Sequence, residues 1–491
     1  MDKSSKSTEH ISIPEITGEY SEPWSWRKFK QLLGFFGPAA LVASIAVGAG
    51  ETILVTGVGA WAEYGLIWLI LVSVLVKGIT VTYLLGRFTL VSGQPYGRIM
   101  AKLPGPRGWF ILTLLTIELL ALSLALTAVA KPCGNLVVYI LSDSLLLGAS
   151  GTVWENLVTT LFLALALGLS LLMSYEILEK QQVFICGLLV LGTILATIIV
   201  WPNLISILVG MFSIGDFPTA PEWAPPAAQN NYFLNIVTVF GYVGGTLCTY
   251  LAYSGWVKLR GWGLTRHPEM ERLGMQLDQT LKIHYLSEDP KEVKRMRILL
   301  KPLKWDVSMG AIVLFVVTAS FMIAGAVVLY PQQIVLPGNA WDLLTRQSSI
   351  WEQIHSMLIP VYYVAILAAL WGTLAAIPEA FTRFAHEFLT GLWPGFASFP
   401  YRRLQSIIVI WFFLSSCVAI WSDMSFDLIT QIVALLATNL GVGLICLTAV
   451  YLNFKLPPSY RACPAILVSG VLSTVVLLTA FALSAAGMLQ K

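Results

Sequence analysis

The chain has 491 residues, of which 57% are hydrophobic and only 12% charged, with a formal net charge of +3 and a mean hydropathy of +0.76. Such a composition excludes a soluble globular domain and defines a polytopic membrane protein. The small net charge adds little.

Residues 1–31 are polar and charged, without the short apolar stretch and small-residue cleavage site of a secretory signal, and read as a disordered cytoplasmic tail. Beyond them, apolar runs of about 20 residues recur, each long enough at 1.5 Å per residue to cross a hydrocarbon core of roughly 30 Å. Eleven spans are predicted, at 32–57, 65–90, 109–130, 153–174, 183–207, 233–256, 307–330, 354–378, 403–421, 427–451 and 464–486. The expected fold is all-α.

Lysine and arginine crowd one side of these spans. That side carries Lys28, Lys30, Arg98, Lys102, Arg107, Lys180, Arg402, Arg403, Lys455 and Arg461, and the segment from Lys258 to Lys304 adds eleven basic residues. On the opposite side, the loop DFPTAPEWAPPAAQNN has none. Because positively charged loops stay in the cytoplasm, the N-terminus is expected inside, and an odd number of spans puts the C-terminus outside. The basic segment alternates with Glu269, Glu271, Asp278, Glu288, Asp289 and Glu292, so it reads as a solvated loop rather than a nucleic-acid site. A helix is expected from Asp289 to Leu300, behind an Asp-Pro start. The six cysteines show no paired spacing, which argues against a disulfide framework or a zinc module.

The first span contains SIAVGAGETILVTG, Ser44 to Gly57. Glycine in a helix costs roughly 1 kcal/mol against alanine, so Gly48 and Gly50 flanking Ala49 suggest an unwound stretch. A carboxylate at the centre of a span costs about 3 kcal/mol to insert, so Glu51 should face protein, water or an ion. A close helix crossing with Glu51 hydrogen-bonded to a neighbour is the alternative. The sixth span repeats the pattern in GYVGGTLCTY, with Gly241, Gly244 and Gly245 ahead of Thr246, Cys248, Thr249 and Tyr250. Broken helices at corresponding places in two five-span halves mark a secondary transporter built from inverted repeats, with its site at the midplane. Residues 32–230 then form the first repeat and 231–453 the second, with a basic cytoplasmic loop at 257–305; 454–491 supply an extra helix and a short outer C-terminus. This is a LeuT-like arrangement.

FGPAALVASIAVGAGETILVTG and GGTLCTYLAY resemble the first and sixth spans of the natural resistance-associated macrophage protein (Nramp) family of proton-coupled divalent-metal transporters. The resemblance aligns Gly48, Ala49, Gly50 and Glu51 with that family's Asp-Pro-Gly-Asn signature, keeping one position of four. It sets Cys248 at the place of a metal-liganding methionine, and IELLALSLAL places Glu118 at a glutamate linked to proton movement. Arg402 and Arg403 resemble paired arginines that open the family's ninth span. The branch is divergent: Gly48 replaces the signature aspartate, and none of the five histidines lies at a span centre.

The resemblance implies alternating-access transport of a manganese- or iron-like divalent cation, and admits protons as the coupling ion. Glu51 and Cys248 are the metal ligands it points to, with Gly48, Gly50, Thr52, Gly245, Thr249 and Asn439 completing a substrate site. Carboxylate, thiolate and carbonyl together suit manganese, iron, cobalt, zinc or cadmium more than magnesium. Glu118, Lys77, Arg402 and Arg403 form the expected proton pathway. Cys248 reads equally as a small buried hydrophobe. Lys77 reads as a counter-ion to Glu118 or Glu51, or as a snorkelling surface lysine. Glu379, after Pro378, reads as interfacial.

No phosphate loop or HExxH motif is present, which disfavours an ATP-driven pump and an enzyme. Two rival readings remain: a transporter of a small amino-acid-like solute, and a non-transporting sensor that keeps the fold but needs a signalling domain. The expected partners are the lipid bilayer and the metal substrate, with neither nucleic acid, an obligate protein partner nor a resident cofactor. The expected location is a prokaryotic cytoplasmic membrane.

Overall fold

The computed structural model describes residues 11–15, 25–48, 50–145, 151–224, 226–276, 281–333, 343–354, 356–422 and 424–489. Ala49 and most of the N-terminal tail lie outside them. Among the described residues the chain is helical apart from loops and one isolated bridge between Ile11 and Leu286.

The principal helices are α1 (Trp26–Leu33), α2 (Pro38–Ala46), α3 (Val55–Ala62), α4 (Ile67–Ser92), α5 (Trp109–Leu145), α6 (Thr152–Ser170) and α7 (Tyr175–Val200). Then follow α8 (Tyr232–Tyr242), α9 (Leu247–Leu259), α10 (Lys301–Ala324), α11 (Leu358–Leu392), α12 (Tyr401–Ile420), α13 (Phe426–Lys455) and α14 (Pro464–Leu489). Ten helical segments are long and apolar enough to cross a membrane. The expected first span is not among them, because its break leaves only the short pieces α2 and α3. Instead α1 and α2 form a pair bent by 59°.

The spans α4 and α8–α9 are the most enclosed by protein. Exposed leucine, isoleucine and phenylalanine on α6 and α7, such as Leu161, Leu165, Phe184 and Leu195, form an apolar outer surface suited to lipid. Small residues let helices touch. A Cβ on Gly59 would lie 2.1 Å from the Met322 carbonyl oxygen, and one on Gly325 would lie 2.3 Å from that of Thr56, so α3 packs backbone to backbone against the end of the seventh span.

The tail to residue 31 is not wholly unstructured. Ile11 and Ile13 are buried against the basic loop, where the Ile11 amide donates to the Tyr285 carbonyl at 3.0 Å and the Ile13 amide to Glu292 Oε2 at 2.7 Å. Residues two apart in extended chain share a face, so two isoleucines in a polar segment suffice to seat it. Trp26 opens α1 behind Ser25, whose hydroxyl accepts from the Lys28 amide at 3.1 Å. In the basic loop, a helix runs Pro290–Leu299 with Asp289 as its cap.

Candidate functional site

The first span breaks where α2 ends at Ala46. Val47 leaves the helical region, and the chain resumes as a π-type turn over Gly50–Leu54. The Thr52 amide and hydroxyl both return to the Gly48 carbonyl, at 3.1 and 2.8 Å. Gly50 is obligatory, since a Cβ there would lie 2.5 Å from the Tyr242 ring. Gly48 is not: its nearest neighbour would be Thr373 Cγ2 at an ordinary 3.5 Å.

The sixth span breaks between α8 and α9. Gly244 has φ +107, a conformation open to glycine and strained for other residues. A broken helix leaves carbonyls at one end and amides at the other, with negative and positive partial charge respectively. Each end meets an opposite charge here. The Lys77 ammonium donates to the carbonyls of Phe240 at 2.7 Å and Gly241 at 2.8 Å, and lies 5.1 Å from the Phe240 ring centroid. Glu118 Oε1 accepts from the Cys248 amide at 2.8 Å in the first turn of α9. Between them, Glu51 Oε1 accepts from the Gly244 amide at 2.9 Å while Oε2 faces the Gly48 amide at 3.3 Å. Glu51 thus joins one break to the other.

A cavity of about 40 Å³ lies beside this junction, lined by Gly48, Gly50, Tyr242, Gly244, Thr246 and Thr438 among others. It has room for waters or a small ion. Around the break, five buried polar atoms have no hydrogen-bond partner: Glu118 Oε2, Tyr242 Oη, Thr249 Oγ1, and both Nδ2 and Oδ1 of Asn439. Buried polar groups are nearly always satisfied, so these atoms, four of them oxygens, are candidates to hold water or a bound ion.

The sequence-predicted residues therefore divide. Glu51, Lys77, Glu118, Cys248, Thr249, Gly245 and Asn439 all fall on or against the two breaks, and all are buried. Of the two carboxylates expected to balance Lys77, Glu51 is the one whose charge it feels. Cys248 Sγ and Thr246 Oγ1 lie at hydrogen-bond distance, 3.5 Å, and either can donate. Among the described residues no three His, Cys, Asp or Glu side chains group as a ready-made metal site, so any cation must be held mainly by oxygens of other kinds. Arg402 and Arg403 are exposed at the start of α12, where Arg402 donates to the Leu171 carbonyl, and share no hydrogen bond with the junction. Glu379 is buried within the protein, where Arg383 one turn along α11 pairs with it at 2.5 Å.

Other site residues escape sequence reasoning. Asp306, buried in α10, accepts from the Gly37 amide at 3.0 Å, from the Ala39 amide at 3.0 Å and from the Tyr253 hydroxyl at 2.9 Å, capping α2 and holding α9 at once. Glu179 of α7 pairs with Arg260 just beyond α9 at 2.9 Å, against Gly37. On the other side of the break, Gln347 of the helix Leu343–Ile354 donates to the Thr52 carbonyl at 2.6 Å. The only sequence signal for Asp306 is an aspartate at the entry of an apolar run.

Two broken spans facing each other, with polar latches to either side, define a membrane transporter of LeuT-like architecture. The family model described as natural resistance-associated macrophage protein-like matches residues 39–490, and the chain belongs to that Nramp family. It is a multi-pass membrane transporter and not an enzyme. Solved structures agree in fold. A single-site mutant of the Eremococcus coleocola manganese transporter superposes with a TM-score of 0.62 at 16% identity, covering 98% of this chain and 89% of that one. The same transporter in complex with an aromatic bis-isothiourea substituted compound gives a TM-score of 0.58 at 16% identity, covering 94% and 87%. No curated protein matches the chain by sequence.

Proposed function

We propose that the chain is a secondary active transporter that moves a divalent cation, manganese-like in its ligand preference, through the junction of the first and sixth spans by alternating access. The observation that carries this reading is the group of unpartnered buried oxygens at the two breaks, of which Tyr242 Oη also lines the cavity of about 40 Å³, in a member of the Nramp family. Hydroxyl, amide, carboxylate and backbone oxygens suit harder cations such as manganese, and the Cys248 thiol adds one softer ligand. Glu51 and Lys77 hold the two breaks in register, while Glu118 has one oxygen spoken for and one to offer.

Two sets of contacts flank the breaks on opposite sides. Asp306 and the Glu179–Arg260 pair fasten the ends of α2 and α9 to α10 and α7, and Gln347 covers the Thr52 turn. Opening toward either side requires release of one set, which is the condition for alternating access. A buried carboxylate that binds a cation when ionised and resets when neutral is a natural coupling element, and Glu118 fits that role for protons. We further read the N-terminus as cytoplasmic, Arg402 and Arg403 as part of the basic inner face, and the host membrane as a prokaryotic inner membrane.

Uptake by purified protein in proteoliposomes tests the reading, with manganese, iron, magnesium and a panel of amino acids offered in turn. Saturable manganese uptake, faster when the outside is acid, is the expected result. Amino-acid uptake indifferent to metal would overturn it.

A further inference from the structure

A second polar hollow lies away from the junction. It is a cavity of about 200 Å³ at the end of α4, lined by Gln94, Arg98, Lys258, Thr265 and His267 together with backbone and apolar atoms, and no acidic side chain lines it. Its walls come from three places: the turn after α4 and the short helix Tyr96–Met100, the last turn of α9, and the loop that follows α9.

Those walls are fixed. Gly93 closes α4 in the left-handed conformation, the Leu264 amide donates back to the Leu90 carbonyl at 2.9 Å, and a Cβ on Gly263 would lie 2.5 Å from that same oxygen. Gln94 Nε2 donates to the Met270 carbonyl at 2.5 Å. His267 Nδ1 accepts from the Glu269 amide at 3.3 Å, which leaves Nε2 to carry the proton and donate.

The two cations are not held by direct contacts. Among the described residues neither the Arg98 nor the Lys258 side chain makes a hydrogen bond or ion pair. Glu387 is the acidic group whose charge reaches them; Arg383, the other cation there, is engaged by Glu379 at 2.5 Å. Glu269 is paired with Arg272 at 2.6 Å. Two cations and an imidazole N–H therefore converge on a hollow large enough for a tetrahedral oxyanion.

We propose that this pocket binds a phosphate group, from an anionic lipid headgroup or from free inorganic phosphate, and that the bound group clamps the inner half of the broken sixth span to the end of α4. Guanidinium and ammonium donors recognise phosphate oxygens through short charge-assisted hydrogen bonds. Arg98 and Lys258 belong to different segments, so an anion bridging them ties α9 to its neighbour.

Equilibrium binding of radiolabelled inorganic phosphate to the purified full-length protein in zwitterionic detergent tests this, with phosphatidylglycerol as competitor. Saturable binding is expected, weakened about tenfold by Arg98→Gln and by Lys258→Gln, and largely retained in Arg98→Lys. Displacement of phosphate by phosphatidylglycerol assigns the site to lipid, and its persistence assigns it to free phosphate. Should the glutamine variants fold poorly, the wild-type unfolding midpoint serves instead, rising with phosphate but not with chloride at equal ionic strength. Absence of saturable binding of either ligand, or equal binding by the Arg98→Gln/Lys258→Gln double variant, would overturn the proposal.

Discussion

The Glu51 carboxylate accepts the backbone amide of Gly244 at 2.9 Å, so the break in the first span is held to the break in the sixth by one buried side chain. Lys77 secures the neighbouring carbonyls of Phe240 and Gly241. The two groups hold opposite sides of one gap through backbone hydrogen bonds, and each feels the other's charge. Removing one member of a buried pair is far more costly than replacing both.

Glu51→Gln and Lys77→Gln should each destabilise the protein by about 3 kcal/mol, and the double variant should cost less than the sum of the two. A double-mutant cycle on unfolding midpoints measures the coupling. Additive effects would show that the pair does not act as a unit.

The glycines of the first break are not equivalent. Gly50→Ala forces a Cβ to within 2.5 Å of the Tyr242 ring and should abolish transport or folding. Gly48→Asp meets only ordinary contacts at its Cβ and should fold. The new carboxylate would face the cavity beside Thr246 and Thr438 and raise manganese affinity by about tenfold or more. Isothermal titration of both variants checks the contrast.

Much of this junction is legible in the sequence, because its parts are costly in a membrane. Glycine pairs inside apolar runs and the ionisable Glu51, Lys77 and Glu118 announce themselves by type alone, without knowledge of their partners. What the sequence hides is pairing across distance. Asp306 reaches back 269 residues to Gly37, and Glu179 is 81 residues from Arg260, so neither latch has a local signature. Arg402 and Arg403, which the resemblance set in the proton pathway, are exposed at the start of α12, on the basic side where their charge alone had placed them. Ile11 and Ile13 were masked by the polar residues around them.

The latch at Asp306 should respond to Asp306→Asn. Loss of the carboxylate weakens the cap on α2 and the hold on Tyr253, with an expected cost of about 1–2 kcal/mol. It should also speed the reaction of Cys248 with a small thiol reagent, because α2 and α9 part more often. Stopped-flow labelling measures the rate, and an unchanged rate would mean that the latch does not govern access.

Glu118→Gln keeps the acceptor for the Cys248 amide but removes the ionisable group. Manganese uptake should then lose its acceleration by an outward-acid gradient while metal-driven exchange persists. Retention of the pH response would move the coupling role to another residue.

The central claim is that the unpartnered oxygens around the junction bind the transported cation, and manganese titration of wild-type protein against Asn439→Ala and Thr249→Val tests it most directly. The account predicts a saturable site in the wild type that each variant weakens about tenfold, with unfolding midpoints preserved in the absence of metal. Manganese binding of equal strength in all three proteins would contradict it.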